Sequence, residues 1–269
     1  MTKIFTNNIV GWNEFTKLNY PSLFILRWIP FNAWYNSLLS GTKDADALRY
    51  LKKNPNNELY SVIKSLTKTP SKANDTQTFQ YHLHELKLLL DKEDFPSVDE
   101  KIQFGIVEMY PNTKNEDTRR QDGYGYKIKR VVSKDDPSRN PVKSVSVTIE
   151  DLRLSSTIAF TIANYDIAKL RLELKNRKIE REKRRIIEEL FKNVEPMVTV
   201  DVTNVKNGYI KIGGSKFNND LDALCAMIID ILYELRCKAV HGEISVKDTT
   251  EQIYEHAYFM LEGILRKLL

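Results

Sequence analysis

Apolar positions spaced three and four residues apart dominate both ends of the chain, and two-residue alternation is confined to its middle. The first strong segment, SLFILRWIPFNAWYNSLL at 22–39, sets large apolar residues around most of a helical circumference and predicts a buried helix capped by Ser22. Pro30 removes one backbone donor there and predicts a kink or split near 27–29. Amphipathic stretches at about 44–53, 57–68 and 78–92 predict three more helices. At about 96–147 the pattern changes. DGYGYKIKRVV and VKSVSVTI alternate as strands, joined through Asp135-Asp136-Pro137 and Asn140-Pro141, and predict an insertion of hairpin character. Helical spacing resumes at about 149–193 and predicts one long or two stacked helices with alternating charges, Glu180 and Arg184 among them, on a solvated face. MVTVDVTNVKNGYIKIGG at 197–214 predicts a second hairpin turning at Lys206-Asn207-Gly208. In NNDLDALCAMIIDILYELRCKAVHGE, the residues Leu221, Leu224, Ile228, Ile231, Leu232 and Leu235 form the stripe of a core-facing helix that starts at Asn219 or Asp220 and stops at Gly242.

No repeat, low-complexity tract or flexible linker interrupts these segments, so residues 1–269 are expected to form a single unit. Only 10 glycines among 269 residues argue against a turn-dense sandwich or barrel, and the expectation is a mainly α protein. Lys and Arg number 41 against 36 Asp and Glu; the resulting charge of +5 permits a polyanionic partner without requiring one. The most apolar early stretch, 23–29, is broken by Arg27 and followed by Pro30, so no targeting or membrane segment is expected. Cys225 and Cys237 would stand about 18 Å apart on one helix, too far for a disulfide, which fits a reducing cytoplasm.

The stripe ending at Leu235 delivers Arg236 and His241 to a helix C-terminus, where carbonyls lack partners and the dipole favours a cation. The pattern Arg236-Cys237-Lys238-Ala239-Val240-His241-Gly242 resembles the signature of HEPN-domain ribonucleases, and the aromatic first helix with FNAWYN at 31–36 is similar to that of the Apea-like sort. The matched residues are two short segments at opposite ends of the chain; Cys237 stands where the commonest version has a polar residue, usually Asn. The resemblance implies a HEPN-type helical bundle with small β-hairpin insertions and a homodimer with the cleft between protomers. It implies a metal-independent endoribonuclease that leaves a 2′,3′-cyclic phosphate, and a toxin or effector role in prokaryotic antiviral defence, with an antitoxin or defence-system protein as a possible partner. Arg236 and His241 would be catalytic, with Asn32, Asn36 and Lys238 supporting them.

The chemistry can be stated without the family. Cleaving RNA without a metal needs a base for the 2′-hydroxyl, an acid for the 5′-oxygen and a cation for the phosphorane charge, roles that suit imidazole and guanidinium. Five residues along an ideal helix leave the two side chains about 140° apart, so either the last turn unwinds or a two-fold axis brings a second pair. Both residues could equally cap the helix, and a non-catalytic scaffold that binds a protein or nucleotide stays open. Lys127, Lys129 and Arg130, with Tyr124 and Tyr126 nearby, form a candidate RNA strip. His82 and His84 lie about 200° apart on a helix and cannot chelate one ion. Gly213-Gly214-Ser215-Lys216 lacks P-loop spacing and reads as a turn after a strand, so neither metal nor cofactor is expected.

Overall fold

The computed structural model describes residues 19–39, 42–68, 73–92, 101–133, 142–241 and 248–269. The joining segment with Asp135-Asp136-Pro137 and Asn140-Pro141, and the stop at Gly242, lie outside the described residues. The chain divides into two compact units, one of Met1–Val107 with Val200–Leu269 and one of Glu108–Thr199.

In the first unit, α1 (Tyr20–Leu38), α2 (Asp44–Lys53), α3 (Glu58–Thr67) and α4 (Asn74–Lys92) precede α7 (Leu221–His241) and α8 (Asp248–Leu268). Asn19 caps α1 in place of Ser22: its Oδ1 accepts from the Ser22 backbone N–H at 2.9 Å. Pro30 lies inside α1 without ending it. The helix buries only one face, Phe24, Trp28, Phe31 and Tyr35, and leaves Leu26 and Ile29 about 60% exposed, so the expectation of a helix buried all round is corrected. α7 is buried on most of its sides. Asp220 caps it by accepting from the Ala223 N–H at 2.9 Å, and the expected stripe is joined inside by Cys225, Met227 and Ile229. α8 packs against α1, α3 and α4.

A hairpin of β7 (Tyr209–Ile212) and β8 (Ser215–Asn218) lies against α4. It turns at Gly213-Gly214, not at Lys206-Asn207-Gly208, because Gly213 sits at φ +64 and a Cβ there would lie 2.2 Å from the Gln80 carbonyl oxygen. The stretch at 197–201 does not belong to this hairpin: β6 (Met197–Asp201) pairs with β1 (Ile106–Pro111).

The second unit holds a four-stranded antiparallel sheet in the order β2 (Glu116–Gln121), β3 (Tyr124–Val132), β4 (Val142–Asp151), β5 (Ser156–Ala163), followed by α5 (Ile167–Asn176) and α6 (Arg181–Asn193). Tyr126, Ile128, Val145, Val147, Phe160 and Ile162 form the inner face, buried with Leu170, Leu174, Ile187 and Phe191 of the helices. Burying each such side chain is worth ~1.5–3 kcal/mol, so the sheet is a structural unit and not an appended hairpin. The expected β3–β4 hairpin is flanked by two further strands. β2, EDTRRQ, has no apolar alternation to announce it, though Asp122 (φ 53) and Gly123 (φ 82) make the left-handed turn that joins it to β3. β5 falls where helical spacing was expected; STIAFTIA is rich in β-branched and aromatic residues, and the Asp151 carboxylate holds the turn before it by accepting from the Arg153 and Leu154 N–H groups.

The expectation of a mainly α, HEPN-type bundle with small hairpins is thereby corrected. Among the described residues eight helices are accompanied by eight strands in three sheets, a mixed α/β fold.

Candidate functional site

Helical structure in α7 runs unbroken through Arg236 to His241. The last described turn does not unwind, so the two side chains stand about 140° apart around the helix and about 7.5 Å apart along it. His241 is exposed at the helix end, while Arg236 and Lys238 are half-buried.

Arg236 faces α2, where its Nη2 donates to Asp44 Oδ2 at 3.2 Å. Asp44 is the first residue of that helix, a position where a carboxylate meets unpaired backbone N–H groups and the positive dipole end. Its other oxygen, Oδ1, accepts from Asn32 Nδ2 at 3.0 Å, and the same amide donates to the Tyr35 hydroxyl at 2.7 Å. Asn36 Nδ2 in turn donates to Asn32 Oδ1 at 2.6 Å. Asn32 and Asn36 lie one turn apart on α1, so a continuous chain of hydrogen bonds runs from α1 through Asp44 to Arg236. Three of the expected residues, Arg236, Asn32 and Asn36, are thus brought together, and Asp44 joins them. Spacing along the chain gave no signal for Asp44, because its partner lies 192 positions away.

The surroundings are apolar. Tyr35 is fully buried, and burial, followed by the Asp44 charge, pushes its phenol well above the ordinary value. Tyr233, one turn before Cys237 on α7, is pushed up to about 12, first by burial and then by the Cys237 side chain. Its ring lies 6.3 Å from that of Trp28. Cys237 is a free thiol beside this phenol.

The RNA strip expected on β3 divides by strand parity. Lys127 and Lys129 are exposed on the outer face, and Lys127 Nζ lies 2.7 Å from Glu116 Oε1 on β2. Arg130 points the other way and is 2% exposed. Its Nη2 donates to Asn112 O and Asn115 Oδ1, each at 2.7 Å, and burial holds its pKa below the ordinary guanidinium value. Arg130 therefore braces the 112–115 segment and is removed from the candidate RNA surface. Tyr126 is also buried, and Tyr124 carries Lys183 Nζ over its ring at 3.7 Å, so neither is an open stacking platform.

His82 and His84 serve different neighbours, as their spacing requires. His82 Nδ1 meets His256 Nδ1 at 2.8 Å between α4 and α8, and His84 Nδ1 meets Ser215 Oγ at 2.8 Å beside the Gly213-Gly214 turn. Among the described residues no group of three or more His, Cys, Asp or Glu side chains has the arrangement of a metal site, and no helix is long and apolar enough to cross a membrane. No protein-family model, no curated protein and no solved structure matches the chain.

Proposed function

We propose that the C-terminal end of α7 is the active site of a metal-independent endoribonuclease, with RNA as substrate. The observation that supports this reading is the Asn36–Asn32–Asp44–Arg236 chain, which fixes one guanidinium near the end of a helix whose last residue is the exposed His241. Asp44 takes one edge of the Arg236 fork, and the side chain keeps 24% of its surface exposed, so donors remain for a phosphate oxygen. Arg236 binds the scissile phosphate and offsets the charge that builds on it; His241 moves the proton of the attacking 2′-hydroxyl or of the leaving 5′-oxygen. The bond formed is 2′-O to phosphorus and the bond broken is phosphorus to 5′-O, leaving a 2′,3′-cyclic phosphate and a 5′-hydroxyl.

One protomer offers one imidazole, whereas in-line transfer uses a base and an acid on opposite sides of the phosphorus. A homodimer with two such helix ends at one cleft supplies both, in a cell where an antitoxin or other defence-system protein would restrain the activity. Lys127 and Lys129 remain candidate phosphate contacts on the second unit.

The deciding experiment incubates the purified full chain with total RNA in EDTA, beside His241→Ala and Arg236→Ala. Cleavage by the wild type alone, with 2′,3′-cyclic phosphate ends, is expected. No cleavage by the wild type, or cleavage that His241→Ala retains with an unchanged circular dichroism spectrum, overturns the assignment. Mixing the two inactive variants then tests the composite cleft, because heterodimers that regain activity require residues from both chains.

A further inference from the structure

We propose that β5 is a dimerisation edge, pairing antiparallel with β5 of a second copy so that two four-stranded sheets become one of eight. The two edges of the sheet differ. β2 carries Glu116, Asp117, Arg119 and Arg120 in six residues, the charged side chains that normally keep an edge from pairing. β5, STIAFTIA, has no charge, no proline and no glycine over eight residues, and its eight register pairs with β4 contain no bulge. Six of its eight residues are exposed, so among the described residues nothing covers this edge. Alternate N–H and C=O groups along it turn away from β4 and lack a strand to receive them.

The side chains point to a copy of this chain as the occupant. Opposed residues in an antiparallel pair share a face, so a two-fold axis must join positions of like parity. An axis through Phe160 sets Ile158 against Ile162 of the second copy on the inner face, and Ala159 against Thr161 on the outer face. The inner row thereby extends the apolar layer of the sheet and covers Ile158, which is 42% exposed in one protomer. On the outer face Thr157, Ala159, Thr161 and Ala163 are too short to hold two sheets apart. No charge on β5 opposes its own copy, and Arg177, over the Phe160 ring at 4.9 Å, brings its own carboxylate, Glu173 at 3.3 Å. The pairing closes on itself with no edge left to propagate from β5. This interface goes beyond the ribonuclease reading and stands without it.

Sedimentation equilibrium of the full chain tests the proposal. The wild type should be dimeric at about 100 µM. Ala159→Lys with Thr161→Lys sets lysine against lysine twice in this register and should weaken the dimer at least about tenfold, whereas Ala159→Lys with Thr161→Glu sets opposite charges against each other and should keep it. Both positions are exposed, and an unchanged circular dichroism spectrum confirms that each variant folds. A monomeric wild type, a double-lysine variant that dimerises as the wild type does, or a lysine–glutamate variant that dissociates like the double-lysine one, each overturns the interface. RNA cleavage in the same samples is a separate readout, so a failed β5 interface leaves the assignment of Arg236 and His241 standing.

Discussion

Arg236 Nη2 and Asp44 Oδ2 lie 3.2 Å apart, and this contact joins the penultimate helix to the first residue of α2 across 192 positions of sequence. Asp44 also receives the Asn32 amide, so one carboxylate holds both a cation and the polar face of α1. Removing it frees the guanidinium to adopt other rotamers and leaves the Asn32 amide without one acceptor.

Asp44→Ala should therefore lower kcat/KM for RNA by about tenfold or more while costing only about 1 kcal/mol of stability, since the pair is partly solvated. Asp44→Asn keeps an oxygen acceptor for Arg236 and should recover part of the loss. Cleavage kinetics beside urea unfolding check this; equal kcat/KM in wild type and Asp44→Ala would detach Asp44 from the site.

Acid should loosen the first unit between pH 6.5 and 4. His82 and His256 share one proton between two Nδ1 atoms, so their bond needs at least one neutral ring. Burial, then the neighbouring His256, lowers the His82 pKa from 6.5 to about 4, and burial also lowers that of His256. The unfolded chain thus binds protons in this window that the folded chain refuses, and stability falls as pH falls, by at most ~1.4 kcal/mol per pH unit for each group. Above pH 6.5 the contribution of this pair is complete. Urea midpoints at pH 7.5 and 5.5 should differ in the wild type and differ less in His82→Gln/His256→Gln; the same difference in both proteins would exclude the pair as its source.

Gly213→Ala should destabilise the protein by about 2–4 kcal/mol. The position combines φ +64 with a Cβ that would lie 2.2 Å from the backbone oxygen of Gln80 in α4, and backbone in a packed helix yields little. Gly208→Ala, at φ +115 but with its nearest neighbour 4.0 Å away, should cost less. Thermal melts of the two variants rank the sites, and the opposite order would show that the turn is not clamped to α4.

Lys129→Ala and Arg130→Met should separate RNA affinity from stability. Removing an exposed cation should weaken RNA binding and reduce its salt dependence, with the melting temperature unchanged. Arg130→Met strips donors from Asn112 O and Asn115 Oδ1 and should lower stability by about 1–3 kcal/mol. An affinity loss confined to Arg130→Met would reverse the roles assigned by strand parity.

Local pattern alone was enough to place the helices at 44–53 and 58–67, the stripe of α7 and the β3–β4 hairpin, because each carries its own periodicity over a span that one element can use. Arg236 and His241 were legible as candidates from residue type and their place at a helix end, whereas Asn32 and Asn36 were singled out only through the family resemblance. Strand parity also separates Lys129 from Arg130 in principle, since neighbours on a strand face opposite ways. Tertiary structure decided the rest. STIAFTIA became a strand because β4 offered it a paired edge and α5 and α6 an apolar layer, which local spacing does not record. EDTRRQ became a strand through backbone bonds to β3 that make no demand on its side chains. The chain from Asn36 to Arg236 exists only once α1, α2 and α7 pack together, because hydrogen bonds join atoms that are near in space, whatever their separation in sequence.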